Sequence, residues 1–315
     1  MDSMDFSRIV VEEIIDKNPP DSRNFLYENG IDFNNLADSD EIWKAFIRYN
    51  VDAGGIKSSI VGDKWNQMSD DALLKQRKPL LDAVKHLKDL KCYFNFTYFC
   101  PVTYKGGEFV NADECHDKVY FNECPVAKLI MELHWHKGHY KIAKLIAEDV
   151  KRLLIEDRYG KFEGNLNNYV DGILKIYSTD DDGKITATKV LLSTFDNMKG
   201  YGHPPKAVTW FFSEFSSPIH QLNHWPELDY RQFNPVDTHV RRLSIRFGFI
   251  DEDKASNENI DKRLNELYPE EPRKLDYSLY RLGGEEGICG KTLNCEMCKE
   301  KHPIIWENCR IPSLE

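Results

Sequence analysis

Four cysteines near the C-terminal end of the chain have the type and spacing that most directly suggest chemistry. Cys289, Cys295, Cys298 and Cys309 follow the pattern C-x5-C-x2-C-x10-C. Thiolates are soft ligands, and four of them within about twenty residues can enclose a zinc ion or an iron–sulfur cluster. The sequence therefore predicts a four-thiolate metal centre at these positions.

Asp237 is the second candidate, within the segment Pro235-Val236-Asp237-Thr238-His239. An aspartate directly before a helix is typical of an N-cap, whose carboxylate accepts hydrogen bonds from backbone N–H groups. A carboxylate can also stabilise the positive charge that develops on a sugar carbon when its glycosidic bond breaks. The two roles are compatible, because a helix N-terminus favours the ionised carboxylate.

A pair of glycines upstream forms the third candidate, in the segment Lys199-Gly200-Tyr201-Gly202-His203. Glycines one residue apart permit a tight turn with positive φ. Backbone N–H groups in such a turn can approach an anion closely, as they do at helix N-termini. The pair predicts either an anion-binding hairpin between two helices or a plain turn.

The order of these three features resembles the helix-hairpin-helix DNA glycosylases of the endonuclease III class. The resemblance covers residues 184–315, and the middle cysteine pair keeps the family's x2 spacing while both flanking loops differ in length. It implies that Asp237 is the catalytic carboxylate, that the four cysteines hold a 4Fe–4S cluster (zinc is the alternative), and that the partner is double-stranded DNA with a target base. The DNA contacts that it implies are Lys199, Gly200, Tyr201, Gly202, His203, Arg241 and Lys291, with Asn50 filling the gap left by an extruded base.

The hairpin departs from the family where bifunctional members carry their Schiff-base lysine, because this chain has Pro204 there and its lysine is Lys206. We therefore expect a monofunctional glycosylase that hydrolyses the N-glycosidic bond of a damaged, mismatched or modified base. A bifunctional glycosylase and lyase that uses Lys206 is one alternative. A non-catalytic protein that binds DNA structures and keeps the metal centre is another, and an enzyme of free nucleosides or RNA is a third.

The charge of the chain is distributed unevenly. The formal net charge is −10, which opposes binding to phosphates as a whole. Residues 184–250, however, contain eight lysines and arginines against five acids. A local basic face on an acidic body is therefore compatible with a DNA partner, and a solvated surface of mixed charge is the alternative.

Composition indicates an ordinary globular protein, with 41% hydrophobic and 30% charged residues among 315. No apolar run approaches the ~20 residues that cross a bilayer, and the acidic N-terminus lacks the pattern of a signal peptide. We expect a monomer in the cytoplasm, associated with the nucleoid if the source is prokaryotic, without a membrane partner. Eight cysteines in such a chain favour metal ligands and buried thiols over disulfides.

The hydrophobic pattern predicts a mainly α-helical protein. Helices are expected over 73–90, 126–154 (divided into two at Gly138), 165–177, 188–197, 207–215 and 236–247, with a loop at 180–183. Residues 92–124 are aromatic and alternating, which predicts a small β insertion with strands near 92–99 and 119–121. The insertion contains or adjoins four further cysteines, which form either buried thiols or a second metal site: Cys92, Cys100, Cys115 and Cys124.

The resemblance also implies two domains. Residues 1–35 together with 232–315 would form an iron–sulfur cluster domain. Residues 36–231 would form a helical barrel domain that carries the hairpin and the insertion at 92–124. The surplus length relative to a compact family member lies mostly before the hairpin.

Overall fold

The computed structural model describes residues 2–38, 41–42, 45–46, 48–49, 103–105, 108–110, 165–177, 180–195 and 206–309. These residues are mainly helical, as the sequence predicts. None of the helices in these ranges is long and apolar enough to cross a membrane. Some of the predicted features lie outside these ranges: the helices over 73–90 and 126–154, the hairpin at 199–203, Asn50 and the cysteines Cys92, Cys100, Cys115 and Cys124.

The described helices fall in the N-terminal and C-terminal parts of the chain. In chain order the described α-helices are α1 (Ser3–Val11), α2 (Ser22–Glu28), α3 (Leu166–Tyr177), α4 (Asp181–Thr194), α5 (Lys206–Ser216), α6 (Thr238–Arg246), α7 (Asn257–Leu267), α8 (Pro272–Tyr280), α9 (Cys295–Lys301) and α10 (Pro303–Asn308). Helix α1 continues into a π-helical turn at Glu12–Asp16, and α8 continues into another at Arg281–Glu285.

A short antiparallel pair of strands lies inside the stretch predicted as a β insertion. Strand β1 (Thr103–Lys105) pairs with β2 (Glu108–Val110), and Tyr104 stands opposite Phe109. The strands predicted near 92–99 and 119–121 lie outside the described residues. The insertion as a whole therefore stays a prediction.

The chain divides into two compact units. The terminal unit consists of residues 1–23 and 212–315, and the middle unit consists of residues 24–211. Helices α2 and α5 each contribute residues to both units. Asp237 and the four C-terminal cysteines belong to the terminal unit, whereas Lys206 belongs to the middle unit.

The terminal unit has a continuous hydrophobic core that joins both ends of the chain. Helix α1 packs on α8, and α6 packs on α7 and α8. Phe6 of α1 meets Phe247, just after α6, edge to face with ring centroids 5.2 Å apart. The fully buried aliphatic members are spaced mostly three or four residues apart along their helices, which gives each helix one apolar face. They include Val10, Val11, Leu243, Ile260, Leu264, Leu275, Leu279 and Ile305.

The middle unit has an aromatic core of its own. Phe46 contacts Phe195 and Phe211, with ring centroids 5.2 Å and 5.1 Å away. Tyr49 meets Trp210 of α5 edge to face at 4.9 Å. Aromatic pairs in these geometries add to the free energy gained from burying their area.

The segment predicted as a loop at 180–183 instead begins a helix, so that prediction is wrong. Helix α4 begins at Asp181, because the side chain of Asp180 accepts a hydrogen bond from the Gly183 N–H at 2.7 Å and caps the helix. Two further aspartates in the first turn are favoured by the helix dipole. A Cβ at Gly183 would overlap the carbonyl oxygen of Tyr177, so this close approach requires glycine.

Candidate functional site

Asp237 lies at the N-terminus of α6 and is its N-cap. Its Oδ1 accepts hydrogen bonds from the backbone N–H groups of His239, at 2.7 Å, and Val240, at 2.8 Å. The side chain is partly exposed, in contrast to the buried residues that precede it. The N-cap role expected from the sequence is therefore confirmed, and it holds a carboxylate at the positive end of the helix dipole.

Helix α6 lies close to the glycine-containing end of α8. A Cβ at Gly283 would lie 3.0 Å from Cβ of His239 and 3.3 Å from Cδ1 of Leu243. The ring of His239 also meets Tyr280 edge to face, at 6.3 Å between centroids. Only a residue without a side chain lets the backbone approach α6 this closely. The glycine therefore lets the π-helical turn after α8 pack closely against α6 within the terminal unit.

A hydrogen-bonded turn leads the chain into Asp237. The N–H of Val236 donates to the carbonyl of Asn234 at 2.8 Å, across Pro235. The side-chain amide of Asn234 donates to Oδ1 of Asp261 on α7 at 2.7 Å. Burial, opposed by this hydrogen bond and reinforced by the nearby Asp276 carboxylate, raises the pKa of Asp261 to about 6.

The first of the four cysteines lies in a tight loop after the π-helical turn. Cys289 pairs with Leu293 in an isolated antiparallel bridge, and its N–H donates to the carbonyl of Leu282 at 2.9 Å. Asn294 then caps α9 by accepting a hydrogen bond from the Met297 N–H. The loop thus connects the first cysteine directly to helix α9, which begins at the second, Cys295.

The other cysteines lie on or beside the two last helices. Cys295 and Cys298 are on α9, and Cys309 directly follows α10. All four cysteines are free thiols: Cys289 and Cys298 are buried, Cys309 is partly buried and Cys295 is exposed. The loop and the two helices thus contribute all four thiols within one unit of the fold.

The four thiols are near enough to influence one another's ionisation. Burial raises the pKa of Cys289 to about 12, and the neighbouring Cys298, Cys309 and Cys295 add to the rise, while Arg246 opposes it. Burial likewise raises the pKa of Cys298 to about 11, with contributions from Cys309 and Cys295. Neighbouring thiols with raised pKa values stay protonated at neutral pH in the absence of a metal. A bound cation stabilises their thiolate form.

The donor set fits a four-thiolate centre in its chemistry. Within the ranges that the structure describes, no three or more His, Cys, Asp or Glu side chains are arranged to hold a metal ion. The four sulfur atoms therefore do not form a coordination sphere in this arrangement. A metal centre would require them to draw together, which the loop of Cys289 and the short helices α9 and α10 would have to accommodate.

A histidine beside the cysteines is paired with a carboxylate. Nε2 of His302 lies 2.8 Å from Oε2 of Glu286. The backbone N–H of His302 donates to the carbonyl of Cys298 at 2.7 Å. Glu286 also pairs with Arg281 at 3.4 Å. This pairing supports the junction between α9 and α10, where the chain turns between the third and fourth cysteines.

Of the predicted DNA contacts, the structure describes two, and both belong to the terminal unit. Arg241 is exposed on α6, and Lys291 is exposed in the loop after Cys289. Lys206, the catalytic candidate of the bifunctional alternative, is the partly buried first residue of α5. Asn50 and the hairpin residues Lys199, Gly200, Tyr201, Gly202 and His203 lie outside the described residues, so the contacts predicted for them stay predictions.

Sequence reasoning missed a buried polar network in the terminal unit. Oγ of Ser22 lies 2.6 Å from Oε2 of Glu214 and 2.8 Å from Nδ1 of the fully buried His220. Burial lowers the pKa of His220 to about 4; Glu214 opposes this shift, and Arg273 adds to it. A lone carboxylate among the aromatic residues of α5 was the signal that could have revealed the network.

The network continues along α8 as a buried ion pair. Arg273 and Asp276 are both at least 98% buried and form a salt bridge, and the Arg273 guanidinium lies 5.2 Å from the centroid of the Tyr277 ring. His220 meets the same ring edge to face. The three-residue spacing on one helix was the local sign of this pair. Removing one partner of such a buried pair is strongly destabilising, because the other charge is left buried without compensation.

Comparison with known proteins gives one partial match. The profile of a family described as "Protein of unknown function (DUF2400)" matches residues 221–285. The matched segment contains Asp237 and helices α6 to α8, and it ends before Cys289. No curated protein and no solved structure matches the chain.

Proposed function

We propose that this protein is a DNA glycosylase that hydrolyses the N-glycosidic bond of a damaged, mismatched or modified base in double-stranded DNA. The observation that carries the proposal is the placement of Asp237. Its carboxylate is partly exposed, sits at the positive end of α6 and is followed by Thr238 and His239 in the order that the resemblance requires. The same helix ends at Arg246, which binds the loop of the first cysteine.

In the proposed reaction the target base leaves the stack and Asp237 faces C1′ of its sugar. The bond between C1′ and the base nitrogen breaks, and its electron pair leaves with the base. The carboxylate stabilises the positive charge that develops on the sugar and orients a water molecule. The water oxygen bonds to C1′, and its proton passes to the departing base or to the carboxylate. Hydrogen bonds from His239 and Val240 keep the carboxylate in place throughout.

Cys289, Cys295, Cys298 and Cys309 would hold the proposed 4Fe–4S cluster, or zinc as the alternative. When bound, such a centre would cross-link the C-terminal elements and would take no part in the reaction at the sugar. The loop, α9 and the end of α10 would supply the four thiols. Lys291, exposed in that loop, would then be presented to a phosphate.

The test is base release from a panel of duplex oligonucleotides that carry uracil, oxidised, alkylated or hypermodified bases. Strand cleavage after alkali treatment reports each abasic site. We expect cleavage on at least one duplex by the wild-type protein, and none by Asp237→Asn at the same level of DNA binding. A variant that retains full activity would exclude Asp237 as the catalytic group.

The panel also separates the alternatives. Borohydride trapping tests for a Schiff base, and a covalent adduct that disappears in Lys206→Ala would establish a bifunctional enzyme. Tight duplex binding without base release on any member would favour a non-catalytic DNA-binding protein. Failure to bind duplex DNA at low salt would favour an enzyme of free nucleosides or RNA, since phosphate contacts strengthen as salt falls.

A further inference from the structure

The segment that directly precedes Asp237 is held in place by the buried side chain of Asn234. Residues 233–236 are all buried, and the turn across Pro235 ties Val236 to the carbonyl of Asn234. A buried turn with a proline has little freedom to adjust. The backbone position of Asp237 therefore follows the position of Asn234.

Asn234 is held in turn by helix α7. Its amide nitrogen donates to Oδ1 of Asp261 at 2.7 Å and to the carbonyl of Arg231 at 3.2 Å. One turn further along α7, Asn265 donates to the carbonyl of Asp261 at 2.9 Å and reaches that of Arg231 at 3.4 Å. Helix α7 thus binds the segment before α6 through two neighbouring side chains.

We propose that Asp261 is a positioning residue, which holds the Asp237 carboxylate at the start of α6 through its hydrogen bond to Asn234. The inference rests on the proposed function, since it gives Asp261 a role in the same site. Asp261 itself does not touch substrate in this scheme. Its contribution is to keep the segment 234–237 in the one position from which Asp237 caps the helix and faces the sugar.

The energetics of Asp261 support a positioning role over a purely structural one. Burial and the Asp276 carboxylate disfavour its ionised form, so at neutral pH the charge lowers the stability of the fold. An ionised carboxylate is, however, a stronger acceptor for the Asn234 amide than a neutral group would be. The chain therefore carries a group that weakens the fold but strengthens the hydrogen bond that holds the segment before Asp237.

Amide exchange measures the first turn of α6 without requiring activity. Hydrogen–deuterium exchange of a peptide that includes residues 238–243 reports whether the N–H groups of His239 and Val240 remain capped. We expect Asp261→Ala to speed this exchange about tenfold, toward the level of Asp237→Ala, because a charge-assisted hydrogen bond is removed. Asp261→Asn keeps an acceptor oxygen but loses the charge, so its exchange rate should lie between those of wild type and Asp261→Ala.

Ser256→Ala is the matched control, since Ser256 caps the same helix α7 without contacting the segment before Asp237. It should lower overall stability but leave the exchange of 238–243 near the wild-type rate. Unchanged exchange in Asp261→Ala, or an equal increase in Ser256→Ala, would overturn the proposal.

Single-turnover base release on the duplex found in the panel is the second measurement. Asp261→Ala should lower the rate about tenfold without weakening DNA binding, and Asp261→Asn, which keeps the acceptor oxygen without its charge, should restore part of that rate. An unchanged rate in Asp261→Ala, despite faster exchange, would also overturn the positioning role. If the wild-type protein releases no base from any duplex, the proposed function fails, and the exchange measurement still decides whether Asp261 holds the start of α6.

Discussion

Arg246 donates a hydrogen bond of 2.6 Å to the carbonyl oxygen of Gly290. The same guanidinium reaches the carbonyls of Lys291 at 3.0 Å and Cys289 at 3.3 Å. Helix α6 therefore connects the two parts of the candidate site: Asp237 caps its start, and Arg246, its last residue, binds the loop of the first cysteine. A planar guanidinium presents five N–H donors on three nitrogens in a fixed geometry, so it can reach carbonyls spread along one loop, whereas a lysine presents its three donors from a single nitrogen.

Replacing Arg246 should therefore loosen the loop of Cys289. We expect Arg246→Leu to lower the free energy of unfolding by about 1–3 kcal/mol, because partly buried carbonyls lose their donor. Arg246→Lys should recover only part of this stability. Urea unfolding measures the change. Arg241→Leu, on the exposed face of the same helix, is the control and should stay within about 0.5 kcal/mol of wild type.

Two substitutions of Asp237 can distinguish the effect of its charge from the effect of its helix cap. Asparagine is as good an N-cap as aspartate, so Asp237→Asn should unfold at a temperature close to that of wild type while base release is abolished. Asp237→Ala removes the cap as well and should lose about 1 kcal/mol of stability. Thermal unfolding and alkali cleavage together distinguish the two roles. Equal stability of the asparagine and alanine variants would contradict the capping geometry.

The metal content of the protein is testable by colour and elemental analysis. Purified anaerobically, it should be brown, with broad absorption near ~400 nm and about four iron atoms per chain. Cys298→Ser should lower iron content and stability together, since a metal centre contributes to the folding of its domain. Cys124→Ser, outside the group of four, should leave the four iron atoms of this centre in place. A colourless protein with one zinc per chain would contradict the 4Fe–4S prediction and favour the zinc alternative.

His220 makes the stability of the protein dependent on acid. Its pKa is about 4 in the fold against 6.5 ordinarily, so the neutral form is favoured, and stability is full above pH 6.5. As the pH falls from 6.5 toward 4, the unfolded chain takes up the proton first, and up to about 3 kcal/mol of stability disappears. His220→Asn should flatten this decline in urea unfolding measured at several pH values.

His224 provides the internal comparison for that experiment. Burial lowers its pKa to about 4 as well, so it contributes to the same decline in stability between pH 6.5 and 4. Each single variant should therefore remove part of the pH dependence, and the double variant should remove more than either. A decline unaffected by both substitutions would place the acid sensitivity elsewhere.

The salt dependence of duplex binding tests the predicted basic region. Reversing the charge at Lys199 or Lys206 should weaken binding and lower the slope of log K against log salt by ~0.9 for each phosphate that the variant no longer neutralises. Lys85 and Lys88, outside the 184–250 region, are the controls and should leave the slope unchanged. Equal effects at all four positions would argue against the hairpin as the DNA-binding element.

Local patterns in the sequence were sufficient for several helices of the described residues and for the N-cap at Asp237. Apolar spacing predicted helices at 165–177, 207–215 and 236–247, and the structure has α3, α5 and α6 there. These features depend on residues within one or two turns of each other. The error at 180–183 has the same origin, since a run of aspartates before glycine fits both a loop and a capped first turn.

Only the tertiary structure decided how the candidate site is held together. The hydrogen bonds of Arg246 with Gly290, of Asn234 with Asp261 and of Ser22 with His220 join residues that are 44, 27 and 198 positions apart. No local pattern specifies such pairs, because each depends on how helices pack and on which polar groups that packing buries. The sequence by itself thus identified the chemical groups, the four thiols and the carboxylate, whereas the packing of the terminal unit determined which side chains position them.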